Sequence, residues 1–197
     1  ELNLRDIQDT AKSILEEKLS ILDEMIFHVD KKGFFGGTNS VRLKAIQNGA
    51  DFVLSTDDIK KAYLQLTKQL KDAYVVSIGI LDEDYKKKVL YYLAVRHFVQ
   101  KVERGNLPTN ITPESINKHV EELIAEAIKG DEVEILTKVE DTEQNRDIWD
   151  LLSEEKVEKL RQSQPPHVFI KIMERLLKEA VREYRGYNLV KAKEYSE

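Results

Sequence analysis

His167–Glu197, HVFIKIMERLLKEAVREYRGYNLVKAKEYSE, is the stretch whose reading decides the fold. Phe169, Ile172, Met173, Leu176, Ala180 and Tyr184 recur at steps of three and four, which lays them along one face of an α-helix. At 100° per residue, Lys171, Arg175, Lys178, Arg182 and Arg185 fall within about 80° of one another on the other side. The result is a cationic rail behind an apolar seam. Gly186 predicts a left-handed C-cap, and Asn188 predicts the cap of a second helix beyond it. That second pattern is still running at the final YSE, and the first residue is not methionine. Both ends therefore read as those of a piece cut from a longer protein.

Upstream the same periodicity continues. Leu4, Ile7, Ala11, Ile14, Leu15, Leu22, Met25 and Ile26 predict one long helix over roughly residues 3–31, ended by Gly33. The segment KKGFFGGTNS reads as a glycine turn with anchoring phenylalanines. A second helix is expected from Asn39 or Ser40 to about Val53, although Gly49 weakens it by roughly 1 kcal/mol relative to alanine. Ser55 or Thr56, followed by Asp57 and Asp58, is an N-cap with acids in the first turn. It opens a third helix in which Ile59, Ala62, Tyr63, Leu66, Leu70 and Tyr74 face inward. A fourth is expected from Asp82 to about Arg104, with Tyr91, Ala94, Val95, Phe98, Val99 and Val102 on its apolar side. Lys86, His97, Lys101 and Arg104 fall on its opposite, exposed side. Thr112 and Pro113 start a fifth, carrying Ile116, Val120, Leu123, Ile124 and Ile128 to Gly130. Ser153 starts a short sixth helix, and Pro165-Pro166 separates it from the last.

The expected class is all-α, an array of about seven helices whose faces bury one another because none is stable alone. The expected division is a helical domain over 1–130, a linker over 131–152 and a C-terminal helical segment over 153–197, which packs either separately or with the first domain. Within the linker, Val133, Ile135 and Leu136 fit either a short strand or irregular acidic chain holding Trp149 against a neighbour.

The composition narrows the chemistry. Lys and Arg total 31 against 36 Asp and Glu, a net charge of −5, so a surface basic all over is excluded and only a local basic face remains. With no cysteine there are no disulfides, thiolate metal sites or thiol nucleophiles, which fits a reducing cytoplasm. No apolar run approaches the roughly twenty residues that span a bilayer. Gly33, Gly36 and Gly37 lack the lysine and preceding strand of a phosphate-binding loop. His28, His97, His119 and His167 lie on four different segments without the spacing of a helix-borne metal pair. Carboxylates sit beside lysine or arginine three or four residues on, as in Glu174 with Lys178 and Glu179 with Arg182, the pattern of a solvated helix face. The sequence points to no catalytic residue, no cofactor and no metal.

Two runs resemble a known family. LLKEAVREYRGYNLVKAKEYSE is similar to the C-terminal signature of the R (HsdR) subunit of type I restriction-modification enzymes. The run from Asp57 to Val102 is similar to the helical region that follows that subunit's motor domains, with Ala73-Tyr74 and Leu93-Ala94-Val95-Arg96 in the matching places. The resemblance covers roughly 56–197; residues 1–55 share only helical character. It implies a module that braces the motor domains and docks the DNA-translocating endonuclease onto the methyltransferase (M) subunit. Nuclease and motor motifs are missing, so cutting of DNA, ATP and magnesium are all expected to belong to other parts of the parent subunit. Tyr184, Tyr187, Leu189 and Val190 are the expected partner-binding residues, presented at the corner that Gly186 makes. The alternatives are an unrelated helical adaptor or a module contacting the DNA backbone. The latter would act through Lys171, Arg175, Lys178 and Arg182, with Lys86, Lys101 and Arg104 as a second patch.

Overall fold

The computed structural model describes residues 3–105, 118, 120–122, 124, 125 and 152–194, with side chains placed as far as Arg185. Every regular element among the described residues is helical. The order is α1 (Leu4–Met25), α2 (Lys32–Gly36), α3 (Asn39–Val53), α4 (Asp57–Ser77), a 3₁₀ turn (Ile78–Ile80), α5 (Glu83–Arg104), α6 (Glu154–Ser163) and α7 (Pro166–Glu194). The fold is all-α. The helical residues Lys118, Val120–Glu122, Ile124 and Ala125 belong to the expected fifth helix, and Val120 is buried in the common core. The expected strand, most of the linker, Trp149 and His119 lie outside the described residues.

The helix starts follow from local chemistry. Asn3 caps α1 in a reciprocal capping box with Asp6. The Thr56 hydroxyl accepts from the Ile59 amide at 3.2 Å, and the Asp82 carboxylate accepts from the Tyr85 amide at 2.9 Å. At the other end of α5, Gly105 takes the left-handed conformation (φ +84°) and its amide closes on the Lys101 carbonyl.

α5 is the axis of the molecule. Every residue from Tyr91 to Val99 is buried. α3, α4 and α7 pack around it, and α1 lies along α4 and touches α5. A two-sided, amphipathic α5 is therefore not what forms. His97, expected on an exposed basic side, is 8% exposed, because neighbours cover the middle of the helix on all sides. Lys86, Lys101 and Arg104 keep solvent access because they sit toward the two ends.

Polar groups on this axis bond to the backbone and side chains of neighbouring elements. Arg96 donates from Nη1 to the Leu64 carbonyl at 2.6 Å and to the Thr67 hydroxyl at 3.4 Å. The Tyr63 hydroxyl donates to the Tyr92 carbonyl at 3.0 Å. These bonds fix the register of α4 on α5, and Lys60 with Glu103 at 2.6 Å shows that the two run antiparallel. Leaving any of these buried donors without an acceptor would cost about 1–3 kcal/mol.

Two boundaries differ from the sequence reading. α1 ends at Met25 rather than near residue 31. Lys31 folds back to bond the Asp23 carboxylate and donates to the Tyr92 hydroxyl at 2.8 Å, and that hydroxyl in turn donates to Asp23. In an unbroken helix Asp23 and Lys31 would stand about 12 Å apart along the axis, so their pairing requires the chain to reverse. Burial alone would raise the Asp23 carboxyl, but the hydrogen bonds from Lys31 and Tyr92, with the charges of Lys31 and Lys88, outweigh it and hold the group below the usual carboxylate range. The reversal delivers Phe34 of α2 into the core, its ring edge-on to Tyr91 at 5.2 Å, so the anchoring reading of KKGFFGGTNS stands.

The second difference is at Gly186. α7 runs through it to Glu194, so no left-handed cap forms there and Asn188 lies inside the helix. A lone glycine costs a helix about 1 kcal/mol relative to alanine. The helix-forming residues on both sides, with no proline following, carry the pattern across it.

Gly49 has a packing reason. A Cβ there would lie 2.7 Å from the Tyr91 hydroxyl and 2.8 Å from Val95 Cγ2, so α3 meets α5 at van der Waals contact through the missing side chain. Gly49→Ala, which by helix propensity alone should stabilise by about 1 kcal/mol, is expected instead to destabilise by about 1–3 kcal/mol through overpacking. Urea denaturation of the two proteins measures the sign. A more stable alanine variant would mean that α3 and α5 do not meet this closely.

Candidate partner-binding face

The position of α7 is set by its first turn. Pro166 occupies the first helical position, and the next amides, of His167 and Val168, donate to the Asp51 carboxylate of α3 at 2.7 and 3.3 Å. The negative charge also complements the positive end of the helix dipole. Beside it Gln47 donates to Gln164 at 3.2 Å, tying the α6–α7 elbow to the same face of α3. From there Val168, Ile172, Leu176 and Ala180 run buried along α3 and α5, each adding about 1–3 kcal/mol of apolar burial. Among the described side chains the last buried one on this seam is Ala180. Tyr184, which the periodicity put on this seam, is 58% exposed.

The cationic rail is divided. Lys171 pairs with Glu174 at 3.1 Å and Arg175 with Glu179 at 2.9 Å. The Arg175 guanidinium also lies against Gly105, where an added Cβ would come within 1.5 Å of Nη1, and so places positive charge over the C-terminal end of α5. These two cations flank the seam and help to seat α7. Lys178, Arg182 and Arg185 are exposed. Of the other candidates, Lys86 sits in the first turn of α5 and bonds Glu83 at 2.9 Å. Lys101 and Arg104 sit in the last turn, about 22–27 Å away along the axis. The structure thus brings Lys178 and Arg182 together, sets Lys171 and Arg175 against the core, and holds Lys86 apart from Lys101 and Arg104.

The outward face of α7 is apolar along one line. Ile170, Leu177, Val181 and Tyr184 are each 48–58% exposed and fall within about 60° of arc. The first three were missed in the sequence, where the buried repeat drew attention away from a second repeat one step round the same helix. Of the other proposed contact residues, the side chains of Tyr187, Leu189 and Val190 lie outside the described residues. A second exposed apolar line, Leu4, Ile7, Ile14 and Ile21, runs along α1, and Val75, Val76, Ile78 and Ile80 are exposed where α4 passes into α5.

Chemistry is sparse on this surface. Among the described residues no cluster of three His, Asp or Glu side chains is placed to hold a metal ion. An open groove along α1 has Glu16, Asp23, Glu24, Phe27, Tyr85 and Lys88 on its walls. Within it Tyr85 is raised by its hydrogen bond to Glu16, and Asp23 is already engaged by Lys31 and Tyr92. No described helix is long and apolar enough to cross a membrane.

Among the described residues the geometry is that of a helical domain with an outward apolar line on α7 flanked by exposed cations. A family model for the C-terminal region of type I restriction enzyme HindI endonuclease subunit-like proteins matches residues 3–197, and the chain belongs to that family. The match takes in the first 55 residues, which the resemblance had left aside as merely helical. No curated protein and no solved structure matches the chain.

Asp51 is the contact that seats α7. Asp51→Ala is expected to cost about 1 kcal/mol, within the 0.5–2 kcal/mol of a lost helix cap. The loss should appear as a lower melting temperature in differential scanning calorimetry, with Asp51→Asn closer to wild type. Equal melting of all three proteins would show that the cap does not hold the helix.

Proposed function

We propose that this chain is the assembly module of the R (HsdR) subunit of a type I restriction enzyme. In this reading it docks the ATP-dependent DNA translocase and endonuclease onto the methyltransferase core and rests against the subunit's own motor domains. The observation that carries it is the exposed line Ile170, Leu177, Val181 and Tyr184 on α7, in a chain belonging to a restriction-subunit family. Large apolar side chains left in water on one helix face are what a protein partner covers, and a few buried aromatics dominate such interfaces. Tyr184, one of the expected partner-binding residues, stands exposed on this line. Tyr187, Leu189 and Val190 were expected at a corner that does not form. On the unbroken α7 they fall about 60° or more away from this line and on different sides of the helix, so they are not proposed to extend it.

The chain itself is proposed to break no bonds. ATP, magnesium and cleavage of DNA would belong to other domains of the parent, working in the cytoplasm where foreign DNA arrives. Direct contact with the DNA backbone is the lesser reading. It would draw on Lys178 and Arg182, whereas Lys171 and Arg175 are already bonded to carboxylates.

Two measurements test the proposal. In a pull-down with the methyltransferase core, Leu177→Ala plus Tyr184→Ala should reduce retention about tenfold or more, since two interface anchors of about 1–2 kcal/mol each are removed. Equal retention of wild type and double variant would take this face out of the interface. Turnover of nucleotide or phosphodiester by the purified chain would end the view that it is purely an assembly module.

A further inference from the structure

The two exposed apolar ridges carry opposite charge along their flanks. On α1 the ridge is Ile7, Ile14 and Ile21, and on α7 it is Ile170, Leu177 and Tyr184, each a run of three large side chains at seven-residue steps. Seven-residue spacing is the signature of a seam that faces another helix along its length. Both ridges are about 21 Å long at 1.5 Å per residue. Beside the α1 ridge stand the exposed carboxylates Glu17 and Glu24, and beside the α7 ridge the exposed cations Lys178, Arg182 and Arg185, with Glu174 on the same flank but bonded to Lys171 at 3.1 Å.

We propose that these ridges bind each other between molecules, α1 of one copy of the chain lying parallel to α7 of a second copy. The direction follows from helical handedness. Seen from the N-terminus, the two carboxylates lie about 60–80° anticlockwise of the α1 ridge, and the three cations about 60–120° clockwise of Ile170. Two helices facing each other in parallel bring those flanks to the same side, whereas an antiparallel pair puts them on opposite sides. The register follows as well. With Ile7 opposite Ile170, Ile14 meets Leu177 and Ile21 meets Tyr184. Glu17 then falls between Lys178 and Arg182, and Glu24 falls two residues, about 3 Å, from the level of Arg185. Glu17, now bonded to its neighbour Lys18 at 2.8 Å, would exchange that exposed contact for two cations.

Three features favour a second copy over other occupants. α1 packs chiefly on α4 while α7 packs on α3 and α5, and both ridges stay exposed within one molecule, so neither covers the other there. The ridge on α7 offers a phosphate backbone only the Tyr184 hydroxyl, so DNA would use its flank and leave Ile170 and Leu177 bare. The partner's stripe has the length, spacing and charge that the α7 stripe requires. Because the contacting surfaces differ, the association is head-to-tail and continues past a dimer unless it closes into a ring. It goes beyond docking on the methyltransferase and does not depend on it. Since both occupants would use Tyr184, they exclude each other there.

The test is sedimentation equilibrium of the chain from about 1 to 200 µM in about 50 mM and 500 mM salt. One variant carries Lys178→Glu, Arg182→Glu and Arg185→Glu; the other carries Glu17→Lys and Glu24→Lys. Wild type is expected to grow beyond dimer mass at low salt, with association about tenfold or more weaker at high salt. Each variant alone should stay monomeric with wild-type circular dichroism, and mixing the two should restore assembly, because the reversed flank of each meets the reversed flank of the other. A wild type that is monomeric throughout, assembly that persists in either variant alone, or a mixture that fails to assemble would each overturn the proposal.

Discussion

Burial of the middle of α5, Tyr91 to Val99, on every side is the constraint from which the rest of the structure follows. A helix sheathed this completely must satisfy whatever polar groups it carries from its neighbours, since unpaired buried donors and charges are expensive. Arg96 reaches the Leu64 carbonyl and the Thr67 hydroxyl, and the Tyr92 hydroxyl is shared with Asp23 and Lys31. Burial and the bond to Asp23 both push the Tyr92 phenol up, so it stays a neutral donor. Each of these bonds also positions an element: Arg96 and Tyr63 set α4, Lys31 turns the chain out of α1, and that turn delivers Phe34 against Tyr91. Gly49 lets α3 close on the remaining side, and α3 then offers Asp51 to the start of α7. The chain of dependence runs outward from α5 to the face proposed to meet a partner.

Much of this was legible in the sequence because it is local. The caps at Thr56 and Asp82, the proline at the start of α7, and the inward positions Tyr63, Leu70 and Tyr74 are written in residues a few places apart, where one helical turn decides the outcome. His97 was misplaced because a polar residue on a patterned helix reads as exposed, and nothing in the pattern shows that three other helices will enclose it. The end of α1 was misplaced because Tyr92, the group Lys31 turns back to reach, is 61 residues further on. Gly186 carried the ordinary stop signal, but a stop needs the chain to have somewhere better to go, and α7 continues through it. The exposed ridge on α7 was hidden by the buried one beside it, since both repeats occupy the same helix.

The functional reading rests on how charge is used. A chain with this many lysines and arginines invites a nucleic-acid interpretation. Yet the cations on α7 nearest the core are bonded to carboxylates, and one of them covers the C-terminal end of α5. What is left outward is an apolar line with a basic flank. That arrangement fits protein surfaces with acidic borders better than it fits phosphate alone. The chain belongs to a family of C-terminal regions of type I restriction enzyme subunits, which gives such a surface a setting within a larger subunit.

The most direct test of the account is amide hydrogen exchange across the helices. If α5 is the axis, the amides of Tyr91 to Val99 should be the slowest in the molecule and should open only with global unfolding. Those of α6, which contributes Leu160 as its buried residue, should exchange through local opening at far lower cost. Exchange in the middle of α5 as fast as that in α6 would contradict the account.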